Sequence, residues 1–196
     1  MHLMEATWTD ADALETDLAV LPVGSTEQHG PHAPLGTDAL TAAAIAAEGV
    51  DRADHEVVVA PTIPVGVAEE HRQFAGTLWV SPDSFRSYVR ETVESLAANG
   101  RDRVVVVNGH GGNVGPLREA CARLSRDGTA YAVQFTWFDA VDPEAVGFEG
   151  EMGHGGPVET SLVSHLRADL VDEDSFEAAA DGAAEGWGEW QAGVNL

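Results

Sequence analysis

The sequence predicts an α/β fold with a parallel or mostly parallel sheet and helices on both faces. Short apolar runs alternate along the chain with amphipathic stretches, and polar loops rich in glycine, proline and histidine follow several of the runs. Strands that alternate with helices in this way pair in parallel. The run from Arg103 to Val107 holds four consecutive valines, so it lacks the alternation of a strand with one wet face and favours a strand covered on both faces.

The first half of the chain contributes two predicted strands and one helix. Leu18 to Val23 is an apolar run that predicts a buried strand, and a long loop follows from Gly24 to Asp38. Ala39 to Glu48 is rich in alanine and predicts a helix, for which Asp38 is the expected N-cap. Glu56 to Ala60 predicts the next strand.

The second half repeats the alternation of helix and strand. Pro82 to Ala98 has apolar residues at helical spacing and stops at Asn99-Gly100, which is typical of a helix C-terminus. The remaining predicted elements are the strand Arg103 to Val107, the helix Val114 to Arg126, the strand Ala130 to Phe135 and the helix Pro157 to Leu166. We expect one domain over residues 1–196, with an acidic tail over 171–196 that either is mobile or docks its tryptophans on a neighbouring subunit.

The charge balance excludes two classes of partner. Of the 196 residues, 33 are Asp or Glu and 10 are Arg, with no lysine, so the formal net charge is −23. Such a chain cannot neutralise nucleic-acid phosphates, and it does not form a basic helix at a membrane surface. With 44% hydrophobic residues it has enough apolar side chains for a core. Acidic residues without lysine are expected of a protein from a halophile's cytoplasm, where salt screens its self-repulsion.

Cysteine content and targeting signals agree with an intracellular protein. Cys121 is the only cysteine, so it has no partner for an intrachain disulfide. The first residues show no basic stretch followed by an apolar run, and no apolar segment approaches the roughly 18 residues of a membrane span. We therefore expect a soluble cytoplasmic protein.

Two polar loops that follow predicted strands hold side chains suited to metal binding. Glu27 and His29 follow the first strand, two residues apart, so on an extended segment both project from the same side. Asp38 ends that loop, and His110 lies in the glycine-rich turn after Val107. Ligands of open α/β sheets bind at the carboxyl ends of the strands, and histidines combined with carboxylates favour Zn, Mn or Fe over Ca or Mg. The loops therefore predict a divalent-metal site.

A third segment adds two further candidates. His154 precedes the last predicted helix, and Glu159 lies in that helix's first turn. Both could face a site at the helix N-terminus, where the dipole favours negative charge. Capping of the helix is the alternative for both residues.

Together these segments resemble the creatininase (creatinine amidohydrolase) family over about Leu18 to Leu166. The resemblance implies a three-layer α/β/α sandwich, two divalent metals per subunit, hydrolysis of non-peptide or cyclic C–N bonds, and a homo-oligomer that is often a hexamer. The motifs that carry it are Pro22 to His32, Thr37-Asp38, Val107 to Asn113, and His154 followed by Glu159-Thr160-Ser161.

The resemblance also implies roles for individual residues. Glu27 and His29 resemble terminal ligands of different metals, Asp38 resembles the bridging ligand, and His110 resembles the partner of Glu27. His71 lies in a stretch similar to the family and is expected to reach the substrate.

The chain departs from the creatininase pattern at two places. Creatininase proper carries a glutamate where this chain has Gly112, so the second metal is weaker, absent or completed by Glu159. It also carries a tryptophan shortly before the histidine matched by His154, where this chain has Gly147-Phe148-Glu149-Gly150, which argues against a lid over a flat creatinine ring. The pattern also resembles archaeal formamidopyrimidine deformylases, in keeping with a haloarchaeal source, and peptidases that trim a cofactor-precursor peptide.

We therefore expect a metal-dependent amidohydrolase that acts on a small-molecule amide or formamide. A metal-activated water attacks the amide carbon, His154 protonates the leaving nitrogen, and Glu159 is either a ligand or the general base. The alternatives are creatinine–creatine interconversion, a cofactor-precursor peptidase, and a non-catalytic member of the family that keeps one metal.

Overall fold

A computed structural model describes residues 1–142, 145, 147, 153–182, 190–191 and 194–195 of the chain. Its central sheet has four strands in the order β2-β1-β3-β4, and every neighbouring pair is parallel. The predicted α/β fold with a parallel sheet is thus confirmed. The strands of the sheet are β1 Leu18–Val23, β2 Val58–Val59, β3 Arg103–Asn108 and β4 Tyr131–Thr136.

Helices connect these strands in the order that the alternating pattern predicts. The acidic tail over 171–196 holds a short antiparallel pair, β5 Trp190–Gln191 with β6 Val194–Asn195. Residues 183–189 of the tail, which include Trp187, lie outside the described residues, so the expected docking of its tryptophans stays a prediction. The α-helices are α1 Trp8–Ala13, α2 Thr37–Asp51, α3 Pro82–Ala98, α4 Val114–Arg126, α5 Pro157–Arg167 and α6 Phe176–Gly182.

Helices α3 and α4 cover one face of the sheet and form the main core with it. Phe85, Val89 and Val93 of α3 are fully buried, because their spacing of three to four residues aligns them on one side of the helix. Leu117 and Leu124 of α4 join the same cluster, together with the alternate residues of β1 and β3 that point to this face.

The opposite face is covered less completely. Ala42 and Ala46 of α2 pack against Val107, while α5 lies against α2. Val105 points to this face but keeps 36% of its surface exposed, so the prediction that β3 is covered on both faces is wrong over its first half. The reason is that α2 offers mainly alanine side chains to this face, and the cluster it forms with Val107 and Val20 does not include Val105.

Two predicted elements differ from the observed ones. Helix α2 begins at Thr37 with Gly36 as its N-cap, so Asp38 lies inside the first turn and is not the cap. The predicted strand Glu56 to Ala60 pairs with β1 only at Val58 and Val59, because the flanking backbone accepts hydrogen bonds from outside the sheet. The Glu56 carbonyl accepts one from Thr16, and the Val57 carbonyl accepts one from the α-amino group.

Cys121 is buried in α4 among the core side chains. Burial raises the pKa of its thiol to about 11, so it remains an unionised core residue. Within the described part of the chain, no helix combines the length and apolarity needed to cross a membrane.

Replacement of Phe85 by Ala should destabilise the protein strongly, because the ring is completely buried between α3 and the sheet. We expect a loss of about 3–5 kcal/mol in the free energy of unfolding, measured by denaturant titration. Tyr88→Ala on the same helix is the matched control, because the Tyr88 side chain is largely exposed, and its effect should stay within about 0.5 kcal/mol. Equal losses for the two variants would contradict the assigned core.

Candidate metal centre

The candidate site lies at the carboxyl edge of the sheet, where three loops and the start of α2 meet. The loop after β1 supplies Glu27 and His29, and the first turn of α2 supplies Asp38. The turn after β3 supplies His110, and the segment entering α5 supplies two more groups, His154 and Glu159. Neighbouring parallel strands bring these loops together, as expected for a ligand site in an open α/β sheet.

Asp38 lies between two histidines. Its Oδ1 is 2.9 Å from His29 Nε2, and its Oδ2 is 3.2 Å from His110 Nδ1. Glu27 Oε1 is 2.9 Å from the same His110 nitrogen. Glu27, Asp38 and His110 thus form a first group of potential metal ligands, all buried.

A second group forms around His29. Glu159 Oε2 is 3.8 Å from His29 Nε2, on the nitrogen that also faces Asp38. The rings of His29 and His154 lie 4.3 Å apart between centroids, and ligand atoms of His29, His154 and Glu159 lie within 4.8 Å of one another. Asp38 contacts both groups, so its two oxygens can serve two adjacent ions.

His71 completes the cluster from a short helix at Glu69–His71. Its ring stacks on that of His154 with centroids 4.4 Å apart and planes 17° apart, and its Nδ1 lies 3.4 Å from the side-chain amide of Gln28. Ligand atoms of Glu27, His71 and His154 also lie within 4.8 Å of one another. His71 is nearly completely buried, so in this conformation it faces the other site residues more than the open surface.

Backbone carbonyls orient the histidine rings of the cluster. His29 Nδ1 donates to the Glu27 carbonyl at 3.0 Å, and His110 Nε2 donates to the Val67 carbonyl at 2.7 Å. His154 Nε2 donates in the same way to the Gln28 carbonyl. Each bond fixes one ring nitrogen as the donor to the backbone and directs the other nitrogen at the carboxylates, which is the arrangement found around metal-ligating histidines.

The donor set fits a divalent metal. Both carboxylate oxygens of Glu27 and Oδ2 of Asp38 are buried and accept no hydrogen bond from the described residues. Carboxylates left in this state are costly unless a cation or a proton satisfies them. The separations of 2.9–3.8 Å between facing nitrogen and oxygen atoms are close to the roughly 3.4 Å between ligands of a tetrahedral zinc ion.

Without a cation the site holds protons in its place. Burial raises the pKa of Glu27 and of Glu159 to about 7. Burial alone would lower the pKa of His29, but the bond to Asp38 and the nearby carboxylate charges raise it to about 9. His110 has its pKa raised in the same way, with burial opposing and Asp38 and Glu27 prevailing. These protons are the charge that a divalent ion would displace on binding.

The pKa values of the two outer histidines, His154 and His71, are lowered, whereas those of His29 and His110 are raised. Burial, followed by the positive charge on His29 and His71, lowers the pKa of His154 to about 3. Burial, followed by the charge on His110 and His29, lowers the pKa of His71 to about 4. Both rings are therefore neutral at pH 7, and His154 does not hold a donatable proton in the resting site.

Two glycines allow the loops to approach α2 closely. A Cβ on Gly109 would lie 2.2 Å from the carbonyl oxygen of Asp38, and one on Gly24 would lie 2.4 Å from the backbone nitrogen of Ala39. Both contacts are too short for any side chain, so the glycines let the two post-strand loops reach the first turn of α2. This approach brings His110 and Glu27 to Asp38.

Position 112 has no room for a side chain. A Cβ on Gly112 would lie 2.1 Å from the Val67 carbonyl oxygen and 2.5 Å from His110 Nε2. Both contacts are at the edge of the His110 ring that points away from Glu27 and Asp38 and towards Glu70, whose Oε1 lies 3.9 Å from His110 Nε2. Glu159 is the carboxylate that lies with His29 and His154 in the second group, and its replacement of the glutamate missing at position 112 stays a prediction.

Some contacts of the site have no signal in the sequence. The Val67 carbonyl orients His110, yet a backbone carbonyl is the same for every residue type, so no motif marks it. His32 is buried and its Nε2 lies 2.8 Å from the hydroxyl of Thr160, which ties the first loop to the helix that carries Glu159. A histidine in a ligand-rich loop could have drawn attention to His32, but its partner lies 128 residues away.

Comparison with known proteins identifies relatives of the whole fold. The family described as Creatininase: Creatinine amidohydrolase matches residues 4–195. The mycofactocin precursor peptide peptidase of Mycolicibacterium smegmatis is 39% identical over 162 residues, which cover 80% of this chain and 61% of that protein. The chain therefore spans about three fifths of the length of that relative.

Creatininases are more distant but similar in structure. The creatinine amidohydrolase of Pseudomonas putida is 29% identical over 192 residues, covering 87% of this chain and 73% of that protein. The solved structure named "Creatininase Mn" superposes with a TM-score of 0.74 at 30% identity, covering 88% of this chain and 75% of that chain. The sheet and its surrounding helices are therefore those of the creatininase fold.

Replacement of Glu159 by Gln should stabilise the metal-free protein in a pH-dependent way. The pKa of the Glu159 carboxyl is 4.5 in the unfolded chain and about 7 in the folded protein. The folded protein therefore holds the proton more tightly, and its free energy of unfolding falls as the pH rises from 4.5 to 7. Gln keeps the shape without the charge, so above pH 7 the variant should be more stable on the order of 3 kcal/mol, and below pH 4.5 the two proteins should be equal. Unfolding titrations with chelator at several pH values measure the difference.

Added Zn²⁺ or Mn²⁺ should reverse that order, because the carboxylate binds the ion and the amide does not. A stability difference independent of pH, or stabilisation by metal that is the same in both proteins, would refute the assignment of Glu159 to the metal centre.

Gly109→Ala should disrupt the metal centre, because the added methyl group collides with the carbonyl of Asp38. We expect metal affinity to fall by at least about tenfold and the melting temperature to drop. Gly111→Ala is the matched control two residues away, since a Cβ there meets no atom within 4 Å. Isothermal titration with Zn²⁺ or Mn²⁺ compares the two variants, and equal affinities would show that the close approach at Gly109 is dispensable.

Proposed function

Since the chain belongs to the creatininase family, we propose that it is a metal-dependent hydrolase that cleaves an amide C–N bond. The observation that carries this proposal is the convergence of Glu27, Asp38 and Glu159 with four histidines, from five separate segments of the chain, at one edge of the sheet. Buried carboxylate oxygens without hydrogen-bond donors are costly in a purely structural site. In a hydrolase they hold the metal.

We propose two divalent ions per subunit, Zn, Mn or Fe, with the residues divided between them. Glu27 and His110 would hold one ion, His29 and Glu159 would hold the other, and Asp38 would contact both. When bound, such ions lower the pKa of a coordinated water and polarise the carbonyl of the substrate.

We assign the transfer of the proton in this reaction to His154. His154 is neutral at pH 7, with its Nδ1 lone pair 3.5 Å from Glu27 Oε1 and its Nε2 on the Gln28 carbonyl. As the water oxygen bonds to the amide carbon, its proton moves to His154 Nδ1. The C–N bond then breaks, and the same proton passes to the leaving nitrogen. His154 thus accepts a proton before it donates one, and Glu159 remains a ligand.

His71 supports this exchange by holding the His154 ring. The two rings are stacked, and Gln28 contacts His71 through its side chain and His154 through its carbonyl. A role of His71 in binding substrate, which the resemblance implies, stays a prediction.

We propose two substrate classes. The first is small non-peptide amides, including formylated aminopyrimidines and cyclic amides. The second is a peptide, and the higher sequence identity to a peptidase supports this second class. The peptidase of M. smegmatis is 39% identical to this chain, whereas the creatinine amidohydrolase of P. putida is 29% identical. Because the chain spans only part of the peptidase, the shared part supports the C–N chemistry more than the choice of substrate.

The remaining expectations concern the protein's environment and assembly. A single domain over residues 1–196, a homo-oligomer (a hexamer by family resemblance) and a halophilic cytoplasm stay predictions. The acidic composition agrees with the last of these.

The metal and the reaction can be tested together. Chelated protein should be inactive, and Zn²⁺, Mn²⁺ or Fe²⁺ should restore hydrolysis of one member of a panel of creatinine, formylated aminopyrimidines and short peptides assayed at high salt. His110→Ala should remove metal, measured by elemental analysis, and lower turnover by at least about a thousandfold. His55→Ala is the control, because this histidine is exposed and outside the metal centre.

Two results would separate the alternatives. Near two equivalents of metal without turnover of any substrate in the panel would favour a non-catalytic member of the family. Full turnover by metal-free protein, or by His110→Ala, would refute the proposed chemistry.

A further inference from the structure

A groove between α3 and α4 gathers half of the positive charge of the chain. Five of the ten arginines line it, and its volume is about 450 Å³. Because the chain carries 33 acidic residues and no lysine, positive charge is rare on its surface, and its concentration in one groove requires a cause. The arginines of this groove, the arginine groove, are Arg86, Arg90, Arg118, Arg123 and Arg126.

Among the described residues, two of these arginines have no acidic partner. Arg86 pairs with Glu119 at 2.9 Å, Arg90 pairs with Glu94 at 3.3 Å, and Arg123 pairs with Asp127. Within the described ranges no ion pair or hydrogen bond engages the side chains of Arg118 and Arg126.

The five arginines outside the groove are all engaged. Each forms an ion pair with a carboxylate or a hydrogen bond with a backbone carbonyl. The two guanidinium groups without a partner therefore both belong to the groove.

The two arginines lie along one helix. Arg118 and Arg126 are eight residues apart on α4, about 12 Å along the helix, with exposed Ala122 between them. An exposed acidic segment lies elsewhere in the chain, in the 3-10 turn Glu173–Ser175 and the helix α6 that follows it. Its acids Glu173, Glu177 and Asp181 are all exposed.

We propose that the arginine groove binds the segment Glu173–Asp181 of a second copy of this chain. The segment carries Glu173, Asp174, Glu177 and Asp181 without a basic residue. Contact between copies elsewhere on the surface would mostly oppose acid to acid, so the groove is where two copies attract each other.

The contact joins two different surfaces. In its own chain the acidic segment lies beside the first site loop, where Phe176 packs edge-on against His32 with ring centroids 5.5 Å apart. The groove lies on the face of the sheet covered by α3 and α4. Such a heterologous contact repeats from copy to copy and forms a closed ring or an open chain of subunits.

Charge reversal tests the contact. Sedimentation velocity at one fixed salt concentration should show association of the wild type, and the double variant Arg118→Glu/Arg126→Glu should associate at least about tenfold more weakly. The control is Arg52→Glu/Arg167→Glu, which changes the net charge equally outside the groove and should associate much more strongly than the groove variant. Arg118→Gln/Arg126→Gln gives a second, milder change if the reversed variant does not fold by circular dichroism.

Mixing provides the decisive measurement. Glu173→Arg/Asp181→Arg should also associate weakly alone, but its mixture with Arg118→Glu/Arg126→Glu should regain association, because each reversed surface then meets an opposite charge. A wild type that stays monomeric at all concentrations, a groove variant no weaker than the control, or a mixture that does not associate would each overturn the proposal.

Discussion

The structure depends on the environment of one carboxylate, Asp38, which is almost completely buried and faces an imidazole on each side. Burial would raise its pKa, but the neighbouring His110 and His29 prevail and hold the pKa well below its usual range. A charge that remains ionised in the interior must be surrounded by positive groups. The surrounding loops meet this requirement, since each histidine that faces Asp38 has its other nitrogen fixed by a backbone carbonyl.

This requirement determines much of the local chain geometry. The helix that carries Asp38 begins without a side-chain cap, because its N-cap is Gly36, and the one carboxylate in its first turn is directed at the histidines. The loops that bring the histidines and Glu27 cross the helix so closely that only glycine fits at positions 24 and 109. Stability is thereby traded against site geometry, as is common where a protein concentrates its chemistry. The apolar core on the opposite face of the sheet supports this arrangement.

The order of apolar and polar residues along the sequence was sufficient to predict the parallel sheet and helices α3 and α4. In each helix the apolar residues recur at the spacing that places them on the one face that is buried. The strand at Val58–Val59 was predicted too long, since its ends bond to Thr16 and to the α-amino group, which are far away in sequence. The residues themselves named the groups that converge at the site, and their division between two metals came only from the family resemblance, whereas neither source indicated that His154 is neutral. Those properties depend on distances and burial that arise only when segments more than 100 residues apart meet.

Reagents that modify amines and thiols would find almost no target on this protein. The chain has no lysine, so it offers no side-chain amine. The one thiol, Cys121, is buried and stays protonated. A cysteine introduced on the surface would therefore react alone with a maleimide dye. Pairs of such cysteines, one in the loop after β1 and one in the turn after β3, would report the distance between these two loops by fluorescence while Cys121 stays in place.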